Sequence, residues 1–319
     1  ALFNGIWDLI CKFYEKPLWK YVVELNTDDL LDKISFSYID DAISSSEARS
    51  ILEQKKRNLV PAINNVIQNG FPCYTTAVGW LGYSDEKMTK LIHNALENGW
   101  THFKIKVGQD INQDFKRLKL VRNLIGPKNV LMIDANQVWS VNESICFINK
   151  LKEFNLFFVE EPTNPDDILG FGKIKAALPH VKLATGEVCH NRVMFKQFLE
   201  NRSLDFCQID SCRMASLNEI IPIMLLAEKL NIPIIPHAGG VGLCEYVQHL
   251  NIINKLLISN NKIELSEYAE SCVEHIENPA VINRGHYCTP LNSGYSAIIK
   301  KKSLEDYSFP SGNYWKFSS

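Results

Sequence analysis

The chain has 319 residues, of which 46% are hydrophobic and 22% charged, and its formal net charge is −2 at pH 7. This length suffices for one barrel-sized domain and part of a second, with a composition typical of a globular protein. The lack of a basic excess argues against a nucleic-acid partner or an anionic membrane surface, and no apolar run approaches the roughly 18 residues of a membrane span.

The nine cysteines are scattered along the chain and form no CxxC pair. An odd number without a metal-binding spacing argues against a disulfide framework and against a zinc site. The pattern predicts a reducing compartment, with most cysteines serving as small core residues.

The first seventy residues are predicted to be helical. One amphipathic helix covers residues 1–20 and stops near Pro17, and another covers residues 45–69 and ends at Gly70. The opening string ALFNGIWDLICKF has no initiator Met and no targeting peptide, and its apolar residues already lie at helical spacing. We therefore expect the chain to be a fragment or a processed product.

From residue 73 onward, short apolar strands alternate with helices. The predicted strands are CYTTAVGW (73–80), THFKIKV (101–107), VLMID (130–134), LFFVEE (156–161), VKLATG (181–186), DFCQID (205–210), IPIIPH (232–237) and IELSEY (263–268). The predicted helices between them cover residues 84–99, 111–125, 141–154, 167–177, 191–201, 216–230 and 242–257. Eight such units predict a parallel sheet closed into a (β/α) barrel. An open Rossmann sheet is less favoured because no GxGxxG follows the first strand.

Six polar residues close successive strands at intervals of 28, 26, 27, 23 and 27 residues. They are Lys106, Asp134, Glu160, Glu187, Asp210 and His237. In a (β/α) barrel the carboxyl ends of the strands meet at one rim, which is where active sites lie. We therefore expect these six side chains to converge.

Asp134, Glu160 and Glu187 end three consecutive predicted strands. Three converging carboxylates would repel one another without a cation, and an all-oxygen set suits Mg²⁺, with Mn²⁺ as the alternative. Any one of these acids alone could be a solvated or capping group. Three in register beside a Lys-x-Lys pair favour a metal site.

Lys104 and Lys106 are two residues apart on one strand, so both are expected to point into the barrel. We expect the two ammonium groups to lower each other's pKa, so that a neutral lysine can act as a base. The structural alternative, lysines that block an edge strand, is less favoured because Phe103 and Ile105 alternate with them.

His237 follows the apolar run IPIIP, and Asp210 ends the strand before it. A carboxylate there can hold the imidazole tautomer and raise its basicity. His237 alone would be interpreted as a structural residue, but its register with Asp210 favours a chemical role. A site with this inventory can remove a proton α to a carboxylate, with Lys106 and His237 on opposite sides of a metal-stabilised enediolate.

Several long strings carry a family resemblance: CYTTAVGWLGYSD, FKIKVG, MIDANQ, EEPTNPDDILG, ATGEVCHNRVMFKQ, QIDSCR and PHAGGVGLCEYVQH. Through them the chain resembles the enolase superfamily, whose members use a Lys or His base with Mg²⁺. Within the superfamily it is most similar to the L-fuconate dehydratases. The resemblance implies a hydro-lyase that converts L-fuconate to 2-keto-3-deoxy-L-fuconate. The alternatives are another acid-sugar dehydratase, a racemase, or a catalytically silent metal-binding barrel.

The resemblance also implies a role for each matching residue. Lys106 would take the C2 proton, His237 with Asp210 would donate a proton to the leaving 3-hydroxyl, and one Mg²⁺ would be held by three carboxylates. The metal ligands would be Asp134, Glu160 and Glu187. The substrate-contacting positions would be Lys104, Asn136, Glu187, His237, Ala238, Gly239 and Glu267, with Glu264 as the alternative to Glu267. Glu161 would support a ligand without binding the metal.

The implied fold is a TIM-type barrel with a truncated N-terminal α+β capping domain. Residues 1–70 would be the helical remnant of the cap, residues 71–284 the barrel, and residues 285–319 a tail that packs back toward the cap. Loops of the absent part of the cap would close over the substrate, so we expect this chain to keep the metal site but to have little turnover. Its partner would be a small-molecule acid sugar, and the protein would be mitochondrial or cytoplasmic. A monomer and a homo-oligomer both stay open.

Overall fold

A computed structural model describes residues 2–316 of the chain. Ala1 and residues 317–319, which belong to the predicted first helix and tail, lie outside the described residues. The chain begins with five helices: α1 Leu2–Phe13, α2 Leu18–Glu24, α3 Thr27–Leu31, α4 Ser45–Lys56 and α5 Leu59–Asn69.

Both predicted N-terminal helices are interrupted. The first breaks before Pro17, which precedes α2 in an extended conformation. The second breaks between α4 and α5 because Pro61 cannot donate to a carbonyl one turn earlier and its ring clashes there. Pro61 is tolerated within the first turn of α5, where backbone N–H groups have no intrahelical partner.

The βα repeats follow in the predicted order. They are β1 Phe71–Thr75, α6 Asp85–Glu97, β2 His102–Lys106, α7 Ile111–Ile125, β3 Val130–Asp134, α8 Val141–Lys150, β4 Val159–Glu160, α9 Ile168–Ala177, β5 Leu183–Thr185, α10 Arg192–Glu200, β6 Phe206–Cys207, α11 Leu217–Lys229, α12 Leu243–Ile253 and β7 Ser266–Tyr268. Short 3₁₀ turns occur at Lys152–Phe154 and Val273–His275, and a π-helical turn, Asn254–Ile258, extends α12. The C-terminal part contains β8 Ile282–Asn283, β9 His286–Tyr287, α13 Lys301–Tyr307 and α14 Asn313–Lys316.

The parallel strands pair with their neighbours around the barrel. Parallel pairing runs from β1 through β6 in chain order, and β7 returns to pair with β1 in parallel. The segment predicted as the strand IPIIPH makes only an isolated parallel bridge, Ile234 to Cys207. Pro233 lacks the N–H group that would extend this bridge backward along β6, while the N–H of His237 still donates to the Ile209 carbonyl at 3.1 Å.

The first barrel strand also differs from the prediction. Strand β1 ends at Thr75, whereas the expected strand continued to Trp80. Residues 76–84 instead form the loop between β1 and α6, and the N–H of Lys106 donates to the Gly79 carbonyl at 2.9 Å. This loop therefore lies at the carboxyl end of β2.

Side-chain caps fix where several barrel helices begin. Ser84 accepts a hydrogen bond from the N–H of Lys87 at the start of α6, and Asp110 accepts from two backbone N–H groups at the start of α7. Ser140 and Glu143 cap α8 reciprocally. Such caps satisfy N–H groups that have no partner within the helix and so set the length of each βα loop.

The barrel interior has an apolar layer and a polar layer. The apolar layer consists of Tyr74, Met132, Phe158, Ala184, Phe206, Ile235 and Leu265. Alternate residues of the same strands, such as Phe103, Ile105, Leu131 and Ile133, face the surrounding helices. Because side chains alternate across a strand, the next inward positions toward the carboxyl rim carry the charged residues described below.

The C-terminal segment contacts the N-terminal helices. The indole of Trp19 donates to the Pro290 carbonyl at 2.7 Å, and the N–H of Tyr295 donates to Asp8 at 2.9 Å. Strand β9 also pairs antiparallel with β1. Within residues 2–316, no helix combines the length and the apolar character that crossing a membrane requires.

Candidate active site

Strand register places the first three predicted residues side by side. Lys106 is paired with Asp134 across β2 and β3, and Asp134 is paired with Glu160 across β3 and β4. Glu187 follows two residues after β5, beyond Gly186. Gly186 has φ +139°, and a Cβ there would lie 2.8 Å from the Gln208 carbonyl oxygen, so the turn that presents Glu187 requires glycine.

Asp134, Glu160 and Glu187 form one carboxylate cluster, with one oxygen from each lying within 4.8 Å of the others. Asp134 and Glu160 are fully buried. Burial and the charge of Asp134 hold the pKa of Glu160 well above its usual range. For Asp134, burial alone would raise the pKa, but Lys104 and Lys106 outweigh it and lower the pKa.

This cluster fits a divalent cation. It offers three carboxylate oxygens and no sulfur or nitrogen ligand, which is the set that Mg²⁺ prefers. Burial first, and then the charge of neighbouring Asp134, raise the pKa of both Glu160 and Glu187, so the simultaneous ionisation of all three acids is disfavoured. A bound cation would relieve that repulsion.

Lys104 is buried at the centre of the polar layer. Its Nζ lies 2.7 Å from both carboxylate oxygens of Glu160 and 2.7 Å from Oε1 of Glu267. Burial alone would lower the pKa of Lys104, but these carboxylates raise it well above its usual range. The expectation that the two lysines lower each other's pKa is therefore wrong for Lys104, because its nearest charges are negative.

Lys106 lies nearer the rim than Lys104. Its ammonium pairs with Asp134, and it lies 5.3 Å from the centroid of the Trp80 ring. Its backbone carbonyl accepts a hydrogen bond from Arg117 at 2.9 Å.

His237 faces the cluster from the far side of the barrel mouth. Its Nδ1 lies 2.7 Å from Asp210 Oδ2, and its Nε2 lies 3.4 Å from Glu187 Oε2. Burial alone would lower the pKa of His237, but the Asp210 hydrogen bond and the charges of Glu267 and Glu187 raise it to about 9. In the structure Nε2 accepts a hydrogen bond from the Gly239 N–H at 3.2 Å, and the raised pKa favours uptake of a proton there, so the ring can serve as an acid once it is protonated.

The remaining predicted positions surround this mouth. Asn136 is exposed just after β3, and its N–H donates to Asp134 Oδ1 at 2.8 Å. The N–H of Ala238 donates to Glu267 Oε2 at 2.7 Å, and Gly239 lies close to the His237 ring, where a Cβ would approach Nε2 to 2.6 Å. Glu264, the alternative to Glu267, pairs with Lys255 and is not part of this cluster.

Three residues near the cluster were not predicted to line it. Gln208 donates to Glu160 Oε2 at 2.8 Å, and its inward position two residues before Asp210 is the sequence signal that could have indicated this. Trp80 was missed because the run CYTTAVGW predicts a strand that continues to residue 80. Arg117 lies on helix α7 and donates to the Gly79 and Trp80 carbonyls, each at 3.0 Å. The pattern of α7 contains no signal that predicts this contact.

Glu161 is buried next to Glu160 but lies outside the three-carboxylate cluster. One of its oxygens accepts a hydrogen bond from Gln137 at 2.8 Å. Burial and the charge of Glu187 raise the pKa of Glu161 to about 8. Its contact with Gln137 ties the loop after β3 to the loop after β4.

Comparison with known proteins agrees with this geometry. Residues 87–303, more than half of the chain, match the family model described as "Enolase C-terminal domain-like". The chain belongs to the enolase superfamily. It is 46% identical to mitochondrial enolase superfamily member 1 of Xenopus laevis, over 99% of this chain and 72% of that protein. It is 43% identical to L-galactonate dehydratase of Hypocrea jecorina, over 97% of this chain and 70% of that protein.

Solved structures confirm the fold. The crystal structure of human mitochondrial enolase superfamily member 1 aligns with a TM-score of 0.95 at 43% identity, covering 99% of this chain and 72% of that one. A more distant structure, L-talarate dehydratase from Polaromonas sp. JS666 complexed with Mg and L-glucarate, aligns with a TM-score of 0.66 at 22% identity. It covers 86% of this chain and 77% of that one, and it supports the barrel architecture.

Proposed function

We propose that this protein is a Mg²⁺-dependent acid-sugar dehydratase whose substrate is L-fuconate. The observation that carries the proposal is the position of Lys106 and His237 at the carboxylate cluster, where Lys106 contacts Asp134 and His237 approaches Glu187. Dehydration of a sugar acid needs a base for the C2 proton and an acid for the 3-hydroxyl, and this pair supplies both.

Asp134, Glu160 and Glu187 are the residues that would hold the metal. When bound, Mg²⁺ supplies positive charge that stabilises the negative charge developing on the substrate carboxylate. Lys104 and Glu267 form a buried ion pair beside Glu160, and with the exposed Asn136 they would orient the substrate. The division into residues 1–70, 71–284 and 285–319 remains a prediction.

The proposed reaction removes one molecule of water. Lys106 Nζ takes the proton from C2, and the C2–H electron pair forms a C2–C3 double bond. The C3–O bond breaks as protonated His237 gives its proton to the departing hydroxyl, which leaves as water. The resulting enol becomes the 2-keto-3-deoxy acid when C3 accepts a proton. Asp210 keeps the His237 ring oriented and protonated through the contact at Nδ1.

A specific observation favours L-galactonate as a second candidate substrate. The relative from Hypocrea jecorina, 43% identical, is named for that compound. L-Galactonate differs from L-fuconate only by a hydroxyl on C6, so the same C2 and C3 chemistry applies.

We propose the mitochondrion or the cytoplasm as the location, because other relatives are named mitochondrial and the nine free thiols suit a reducing compartment.

The test incubates the chain with Mg²⁺ and a panel of acid sugars in D₂O. NMR follows exchange of the C2 proton, and a colorimetric assay follows the 2-keto-3-deoxy acid. We expect exchange and product with L-fuconate, loss of both in Lys106→Ala, and loss of product in His237→Asn. The exchange readout serves even where net dehydration is slow. No exchange with any acid sugar, in a chain that binds Mg²⁺, would point to a silent barrel.

A further inference from the structure

Trp80 stands beside the proposed base without a role in the proposed reaction. It lies on the loop between β1 and α6, and its ring centroid is 5.3 Å from Lys106 Nζ. Its side chain is 43% exposed, so a large apolar surface remains open next to a charged site. When C2 of a sugar acid contacts Lys106, a half-exposed indole at this distance can also contact that molecule.

The position of Trp80 is fixed by contacts of its backbone. Arg117 donates to the carbonyls of both Gly79 and Trp80 at 3.0 Å, and to the Lys106 carbonyl at 2.9 Å. The Lys106 N–H donates to the Gly79 carbonyl, and a Cβ at Gly79 would lie 2.3 Å from the Ile105 side chain. The loop thus rests directly on β2, and the indole is held near Lys106.

Strand order gives the direction in which a substrate extends. The carboxylate cluster lies at the ends of β3, β4 and β5, whereas Trp80 follows β1, on the other side of β2. A sugar acid whose carboxylate faces the cluster and whose C2 faces Lys106 would have its remaining carbons away from the cluster. Trp80 is on that side.

We propose that Trp80 is a specificity-determining residue that contacts the end of the sugar acid remote from the carboxylate and favours a methyl group there over a hydroxymethyl group. This inference rests on the proposed function. An indole face gains apolar contact with a methyl group, whereas it offers no hydrogen-bond partner to a C6 hydroxyl, which loses water when it is buried there. The compounds that separate these cases are L-fuconate and L-galactonate.

The experiment measures the affinity of both compounds by isothermal titration calorimetry in the Mg²⁺-loaded Lys106→Ala background, which the proposed reaction predicts to bind them without converting them. Apolar pockets discriminate weakly against an added hydroxyl, so we expect L-fuconate to bind about three- to tenfold more tightly. Trp80→Ala should bring the ratio of dissociation constants to about one, and Trp80→Phe should keep most of it. Trp315→Ala, a change of a half-exposed tryptophan in α14, is the matched control and should keep the ratio.

Two outcomes overturn the inference in different ways. If both compounds bind but Trp80→Ala leaves their ratio unchanged, Trp80 does not select between them and the proposed function stands. If neither compound binds and neither undergoes C2 exchange with the unmodified chain, the proposed function fails and the inference fails with it. Circular dichroism and Mg²⁺ titration of Trp80→Ala distinguish lost selectivity from lost folding.

Discussion

The ammonium of Lys104 lies 2.7 Å from both oxygens of the Glu160 carboxylate, inside a barrel where both side chains are at most 1% exposed. Such a pair loses most of its hydration, so its favourable energy depends on its geometry and on additional contacts. Glu267 and Gln208 provide those contacts, the first to Lys104 and the second to Glu160. The buried ammonium of Lys104 thus holds the polar layer of the barrel together.

Removal of the Lys104 ammonium should destabilise the fold. Lys104→Met leaves Glu160 and Glu267 buried without their main partner, and breaking a buried ion pair typically costs about 3–5 kcal/mol. Urea unfolding followed by tryptophan fluorescence measures the change. Lys301→Met is the control, because Lys301 is 90% exposed, and its effect should lie within about 0.5 kcal/mol of zero. Equal stability of Lys104→Met and the unmodified chain would contradict the interpretation.

Metal binding should stabilise the native chain through the carboxylate cluster. A ligand that binds only the folded state at about 100 times its dissociation constant adds about 2.7 kcal/mol to the free energy of unfolding. Mg²⁺ should therefore raise the melting temperature, and EDTA should reverse the rise. Glu187→Gln removes one ligand and should abolish most of the effect, while Glu264→Gln, outside the cluster, should retain it. An unchanged Mg²⁺ response in Glu187→Gln would exclude this carboxylate as a ligand.

The proposed acid and base should separate experimentally. The Asp210 carboxylate contacts His237 Nδ1 and raises the pKa of the ring. Asp210→Asn removes this carboxylate, so fewer rings are protonated and oriented. General acid catalysis contributes about 10²–10⁴-fold, so dehydration should slow by about 100-fold or more, while Lys106-dependent C2 exchange continues. Asp166→Asn, an exposed change in the loop after β4, should affect neither rate. Equal loss of exchange and dehydration in Asp210→Asn would argue against separate roles.

A buried histidine away from the site should make stability depend on pH. The backbone N–H of Trp19 donates to His249 Nδ1 at 3.3 Å. The ring proton therefore lies on Nε2, 3.2 Å from Ser296 Oγ. Burial lowers the pKa of His249 to about 3. The unfolded chain, with an ordinary histidine pKa near 6.5, therefore binds more protons between pH 6.5 and pH 3, and stability falls as the pH falls through that range.

The size of this effect follows from the slope of about 1.4 kcal/mol per pH unit for one proton. Between pH 6.5 and pH 5, His249 should account for about 1.6 kcal/mol of lost stability, because the unfolded histidine is only half protonated at pH 6.5. His249→Gln, which offers the same donor and acceptor without titrating, should be less stable at pH 7 but lose less on acidification. His93→Gln, an exposed change in α6, should lose as much as the unmodified chain. Identical acid sensitivity in His249→Gln would show that other groups control it.

The arrangement of side chains at the carboxyl ends of the strands follows from local pattern. Alternation along FKIKV predicts that Lys104 and Lys106 share one face while Phe103 and Ile105 face the helices, and the structure has this arrangement. Regular βα spacing predicts that Asp134 and Glu160 end neighbouring strands, and their register confirms it. These features could be predicted because side-chain alternation and the length of a βα unit are properties of short segments.

Other features depend on contacts between distant segments. Pairing of β7 with β1 sets Tyr74 opposite Glu267 and brings Glu267, and not Glu264, to Lys104. Sequence spacing gave the wrong direction for the pKa of Lys104, because that direction depends on carboxylates 56 residues or more away along the chain.

Trp80 shows the same limit. Its string has the composition of a strand, but Arg117, 37 residues later, holds its carbonyl in a loop beside Lys106. The barrel and the residues at its rim could be predicted from local pattern, since each strand carries that information in its own short segment. Only the closed barrel decided which charges neutralise one another and which apolar surface borders the base, because burial and Coulomb energies depend on distances that are fixed when the ring of strands closes.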